Sequence, residues 1–141
     1  AGVSAIFNDL ITGLKFVQWD KLKEPVDSAK PKPHRLENWR TQRSLRNIEI
    51  NLRAMQQLYT LLYARSDLEG DANTAILGLF EKAISDVHGN GESGVAVLAK
   101  ADGASRFLAL SRSVELLRER MAPALSTVLN VSLGINSLDG D

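Results

Sequence analysis

Arg40, Arg43, Ser44, Asn47 and Asn51 bring together two guanidinium forks, a hydroxyl and two carboxamides, the groups with which proteins grip carboxylates and amides. At about 100° per residue they fall in one narrow helical sector, beside an apolar seam rather than within it. Asparagine is a weak helix former because its amide competes with the backbone, so two of them at i and i+4 suggest a polar face with a partner. That partner would be a carboxylate, a ligand or another domain. The competing reading is a solvated face with local ion pairs such as Glu37 with Arg40.

Other candidates carry less. His34 and Glu37 are spaced to share one side of a helix, as metal ligands in bundles do. The histidine follows Pro33, however, and two ligands do not complete a site. His88 precedes Gly89 and is expected to sit at a helix C-terminus, where the dipole favours it. Asn136, Asp139 and Asp141 crowd oxygens into the closing residues, a chemistry hard cations favour, in a run too short for a calcium loop. No serine elbow accompanies either histidine. Asn130-Val131-Ser132 matches a glycosylation sequon but falls in an expected helix.

The elements that must position these groups are helical. Val3, Ile6, Leu10, Leu14 and Val17 mark a first helix over about 4–24. Pro25, Pro31 and Pro33 then impose a surface loop, because proline cannot sustain the helical ladder. From about Glu37 a second helix carries the seam Leu45, Ile48, Leu52, Met55, Tyr59 and Leu62. Asp71 or Asn73 is expected to cap the third helix, whose face is Ile76, Phe80, Ile84 and Val87, and Gly89-Asn90-Gly91 to end it. A short helical piece between Ser93 and Ala101 precedes a last helix over about 104–133. That helix bears Phe107, Leu110, Val114, Leu117, Met121, Leu125 and Val128, is bent at Pro123 and ends at Gly134. Such faces bury one another as an all-α, antiparallel four-helix bundle with an additional short helix.

At 141 residues the chain fits one domain. Its 17 basic and 17 acidic residues balance, which argues against nucleic acid as a partner. The absence of cysteine excludes disulfides, thiolate metal sites and a cysteine nucleophile. No run reaches membrane-spanning length, and AGVSAIFNDL lacks the marks of a secretion signal, as expected of a cytosolic chain or a piece of a processed one.

Together, DKLKEP at 20–25, RLENWRTQRSLRNIEINLRAM at 35–55 and LGINSLDGD at 133–141 resemble the C-terminal part of imelysin-like proteins. The specific parts are Glu37, Trp39, Arg40, Arg43, Ser44, Asn47 and Ile48, with the terminal run from Asn136 through Asp139 to Asp141, since a helix bundle does not need those polar residues. The resemblance implies a Gram-negative bacterial envelope protein, either exported to the periplasm or anchored as an outer-membrane-associated lipoprotein, and concerned with iron or haem uptake. It implies two packed helical bundles with a site between them, residues 1–141 being a single bundle that forms the C-terminal half. The expected partners are the N-terminal domain and iron-uptake proteins. The expected cofactor is iron or another divalent metal, held mainly by the other half, with haem as an alternative. A peptidase M75 label accompanies the family through a Gly-x-His-x-x-Glu motif of the N-terminal half. The His34–Glu37 string lacks its glycine, so the metal role is not carried over, and the chain is not expected to be an enzyme by itself. The alternatives are a metal-dependent peptidase and a purely structural interaction module.

Overall fold

The computed structural model describes residues 2–26 and 43–131. Among them there is no strand, and five α-helices pack together: α1 (Val3–Phe16), α2 (Ser44–Ala64), α3 (Gly70–Gly89), α4 (Gly94–Leu98) and α5 (Gly103–Leu129). The all-α bundle expected from periodicity is present. α1 packs on α2 and α5, and α3 packs on the same two from the other side, closing a ring of four long helices. Hydrogen bonds give the direction. Gln56 reaches Glu81 and Tyr59 reaches Asn73 between α2 and α3, so the two run antiparallel.

The seams close as their spacing requires. Leu45, Ile48, Leu52, Tyr59 and Leu62 of α2 are buried with Ile76, Phe80, Ile84 and Val87 of α3 and with Phe107, Leu110, Val114, Leu117, Met121 and Leu125 of α5. Met55 and Val128 are partly buried against that core. Tyr59 enters the core with its ring tilted against Phe80 at 5.7 Å, and burial raises its phenol to a pKa of about 12. Its hydroxyl donates to Asn73 Oδ1 at 2.7 Å.

That contact corrects the expected cap of α3. The helix starts at Gly70 behind extended Glu69 with no side-chain cap, because Asn73 lies inside the first turns and spends its carbonyl on Tyr59. The other end is as expected. Asn90 Nδ2 donates to Asp86 O at 2.8 Å, and Gly91 takes φ +86°, a conformation that suits glycine.

α1 departs from its expected course. After Phe16 the chain continues as a π-helix (Val17–Lys23) and a short 3-10 turn (Glu24–Val26), so the expected uninterrupted helix becomes three kinds of helix in series. An α-helical seam through Leu14 and Val17 would next bury Lys21; the wider turn buries Leu22 instead.

α5 runs through Pro123, and Thr127 Oγ1 donates to the proline carbonyl at 3.0 Å. It ends at Leu129, five residues before Gly134. Asn130 adopts the left-handed conformation at φ 54°, and Val131 N donates to Ser126 O at 3.1 Å, the reversed bond of a Schellman-type cap. The sequon asparagine is therefore a helix cap rather than a helix-interior residue.

The corner between α4 and α5 closes on Gly103. A Cβ there would lie 2.2 Å from Val97 O and 2.7 Å from Leu98 Cα. Both obstacles are backbone and cannot rotate away. Gly103→Ala is expected to destabilise the fold by about 1–3 kcal/mol, read as a lower urea midpoint, whereas Gly78→Ala, with open space around its added Cβ, should not.

Candidate functional site

The amino end of α2 is built by its neighbours. Arg43 is not helical, at φ −120° and ψ 19°, and the first free backbone N–H groups of the helix, at Leu45 and Arg46, both donate to Glu92 O at 3.0 and 3.2 Å. A carbonyl from the α3–α4 loop thus does the work of an N-cap side chain. Ser44 turns inward, and its Oγ accepts from Gly94 N at 3.0 Å, which joins the starts of α2 and α4.

This divides the polar stripe expected on α2. Ser44 is buried and spent on Gly94, so it faces no external partner. Arg43 stands exposed before the helix, and Asn47 and Asn51 lie half-buried one turn apart. Among the described residues the amides of Asn47 and Asn51 have no hydrogen-bond partner. Glu37, Trp39, Arg40, Asn136, Asp139 and Asp141, together with His34, lie outside the described residues.

The outward face of α2 is longer than the polar spacing suggested. Ile50 and Leu61 are 47% and 56% exposed. At about 100° per residue they share one sector, flanking the buried seam, with Ala54, half-buried Asn47 and Asn51, and Leu58, which packs partly against the core. No charged side chain interrupts that sector between Asn47 and Leu61. The signal was available in the helical spacing, but exposed aliphatics on a bundle helix are readily assigned to the core.

Glu49 was missed altogether. It sits at the seam's edge, 4% exposed. His88 Nδ1 stands 2.9 Å from its Oε1, Arg53 Nε donates to its Oε2 at 3.1 Å, and Arg46 reaches the same oxygen at 3.5 Å. Burial alone would raise this carboxyl's pKa. Hydrogen bonds from His88 and Arg53, and then their charges, outweigh burial and hold it below the ordinary carboxylate value. His88 therefore does more than face a helix dipole, since it ties the carboxyl end of α3 to α2 across 39 residues of sequence.

The donor chemistry does not make a metal centre here. Both Glu49 oxygens already accept hydrogen bonds, and two guanidinium groups flank them. Among the described residues no three of histidine, cysteine, aspartate and glutamate come together as a cation would require.

A further cleft of about 520 Å³ opens between α3 and α5, lined by Lys82, Ser85, Asp86, Asn90, Arg106 and Ser113 among others. Its carboxylate is neutralised from within, as Asp86 Oδ2 takes Lys82 Nζ at 2.6 Å and Ser113 Oγ at 3.2 Å. Arg106 turns to Asp102 at 2.9 Å.

The family model for imelysin, peptidase M75, matches residues 1–120. No curated protein and no solved structure matches the chain.

Glu49→Gln is expected to cost about 1.5–3 kcal/mol near neutral pH, the range for hydrogen bonds that involve a charged group. A carboxyl with a depressed folded pKa stabilises fully above its unfolded value, near 4.3, and the benefit disappears as pH falls through the folded value. The difference in melting temperature between wild type and Glu49→Gln should therefore shrink as the solution is acidified below about 4; a difference that does not shrink on acidification would remove the assignment.

Proposed function

The chain belongs to the imelysin family, and we propose that it acts there as one bundle of a bacterial envelope protein that binds iron, haem or another iron carrier without itself catalysing a reaction. The outward face of α2 carries the reading. A surface that meets another bundle must shed water cheaply, and charged side chains make that costly. The Asn47–Leu61 stripe has amides at one end, exposed aliphatics along the rest and no charge. In this proposal it packs against the N-terminal half of the protein, with Asn47, Asn51 and Arg43 at the end nearest a ligand held between the two. Iron-uptake proteins are the further partners of the assembly.

The metal or haem is held mainly by the other half, because the described residues of this chain do not form a ligand set. No helix among them is long and apolar enough to cross a membrane. The proposed location is the periplasm or the periplasmic side of the outer membrane of a Gram-negative bacterium, with any anchor lying in a lipid rather than in these helices. Peptidase activity has no support in these residues, since the family's Gly-x-His-x-x-Glu string does not occur in the chain.

The same stripe favours a second reading, a purely structural interaction module, and two measurements separate them. Titration calorimetry of the full-length protein with ferrous iron, ferric iron and haem should give saturable binding to at least one; binding to none would refute the uptake role. Ile50→Asp with Leu61→Asp should weaken association of the two halves by roughly tenfold or more, as charge placed in an apolar contact does, with helicity unchanged. Association that ignores both substitutions would refute the docking face. Weakened association together with no ligand binding would leave the structural module.

A further inference from the structure

The turn that ends α3 holds a reactive pair of residues. Asn90 is the one asparagine of the chain that is followed by glycine. Glycine carries no Cβ to shield its backbone nitrogen, so in an open chain that nitrogen attacks the preceding carboxamide carbon, the chemistry that makes asparagine thermally labile. The fold opposes this in three ways. Gly91 N donates to His88 O at 3.1 Å and Asn90 Nδ2 donates to Asp86 O at 2.8 Å, so nucleophile and leaving group are both engaged. At ψ 1° it is Asn90 N that eclipses Gly91 N, whereas closure of a five-membered ring needs Asn90 Cβ in that place.

This protection is only as firm as the last turn of the helix. Gly91 is exposed at φ +86°, Asn90 is half-buried, and helix ends fray more readily than helix interiors. His88 ties this end of α3 to Glu49 of α2 at 2.9 Å, from a side chain that is itself 71% exposed. The loop that follows serves a second helix. Glu92 O accepts from Leu45 N and Arg46 N, and Gly94 N donates to Ser44 Oγ, so the chain just after Asn90 caps the amino end of α2.

We propose that Asn90–Gly91 is a site of spontaneous deamidation, gated by the α3 cap, whose isoaspartyl product releases the amino end of α2. When the last turn opens, Gly91 N bonds to Asn90 Cγ and the Cγ–Nδ2 bond breaks. The proton from Gly91 N leaves with the amide nitrogen as ammonia, and a succinimide remains. Water, the only co-reactant, then opens the ring at either carbonyl to give aspartate or isoaspartate. Isoaspartate routes the main chain through Cβ and Cγ, which adds one carbon between residues 90 and 91 and shifts Glu92 O and Gly94 N from their partners on α2. Either product also removes the donor from Asp86 O and sets a carboxylate at a helix C-terminus, where negative charge is disfavoured. The site needs no ligand, so it stands or falls separately from the iron reading.

The test is incubation of the intact chain at mildly alkaline pH beside the free peptide of residues 83–100, in which Asn90 is the only asparagine. Mass spectrometry of that tryptic peptide reads the exchange of amide for acid. Conversion is expected in both, slower in the intact chain by roughly tenfold or more, with the exposed substitution His88→Ala giving a rate between the two. An intact chain that converts as fast as the peptide, or a rate that ignores His88→Ala, would overturn the gate. No conversion in either wild type or His88→Ala would overturn the site. The isoaspartyl form, separated by chromatography from the asparagine and aspartate forms, should exchange the amide hydrogens of Leu45 and Arg46 faster than the unreacted chain; equal protection would overturn the link to α2. Asn90→Gln, which keeps the amide but would need a larger ring, should neither convert nor lose that protection during the same incubation, and loss of protection without conversion would overturn the link as well.

Discussion

The burial of α2 between α1 and α3 governs the rest of this structure. Its seam is occupied from Leu45 to Leu62, so the rotation of the helix is settled, and every other side chain on it inherits a position. Glu49 falls at the inner edge, Arg46 and Arg53 at the rim, and Asn47, Ile50, Ala54 and Leu61 at the outside. A change of rotation would expose a full row of aliphatics on one side and bury arginines on the other. The cost of either exceeds what any surface contact could return.

Given that rotation, the polar groups inside the bundle are those that tie neighbouring elements together. Ser44 joins α2 to α4, Glu49 joins α2 to α3, and Ser111 joins α5 to the π-turn. Arg118 of α5 is also buried, at 1% exposure. Each of these groups is expensive to take from water, and each contributes only where its partner is held in place by apolar packing around it. Gln18 keeps one end of its amide on Glu115, while its buried Oε1 has no hydrogen-bond partner.

The surfaces separate by the same logic. The α2 face is uncharged and extended, suited to a flat partner of similar make. The cleft beside the π-turn is small, and its Arg112 and Glu115 pair with each other. The α3–α5 cleft is larger, but its acid is already paired with Lys82 and Ser113, leaving little unspent polarity to direct a ligand.

The amino-acid sequence by itself determined that the chain is helical, the inward faces of the long helices and the stop at Gly89-Asn90-Gly91, since these depend on spacing and on backbone preferences within a few residues; it did not determine the start of α2, expected near Glu37 and found at Ser44 behind non-helical Arg43. It also carried the family resemblance, which the match over residues 1–120 bears out. The pairing of Glu49 with His88, the spending of Ser44 on Gly94 and the widening of the turn at Val17–Lys23 were decided only in three dimensions. Each joins residues far apart in the chain or answers to packing from another helix. Asn73 shows the difference most simply: local chemistry suits it to cap a helix, and a tyrosine hydroxyl arriving from α2 gives its oxygen a better-buried use.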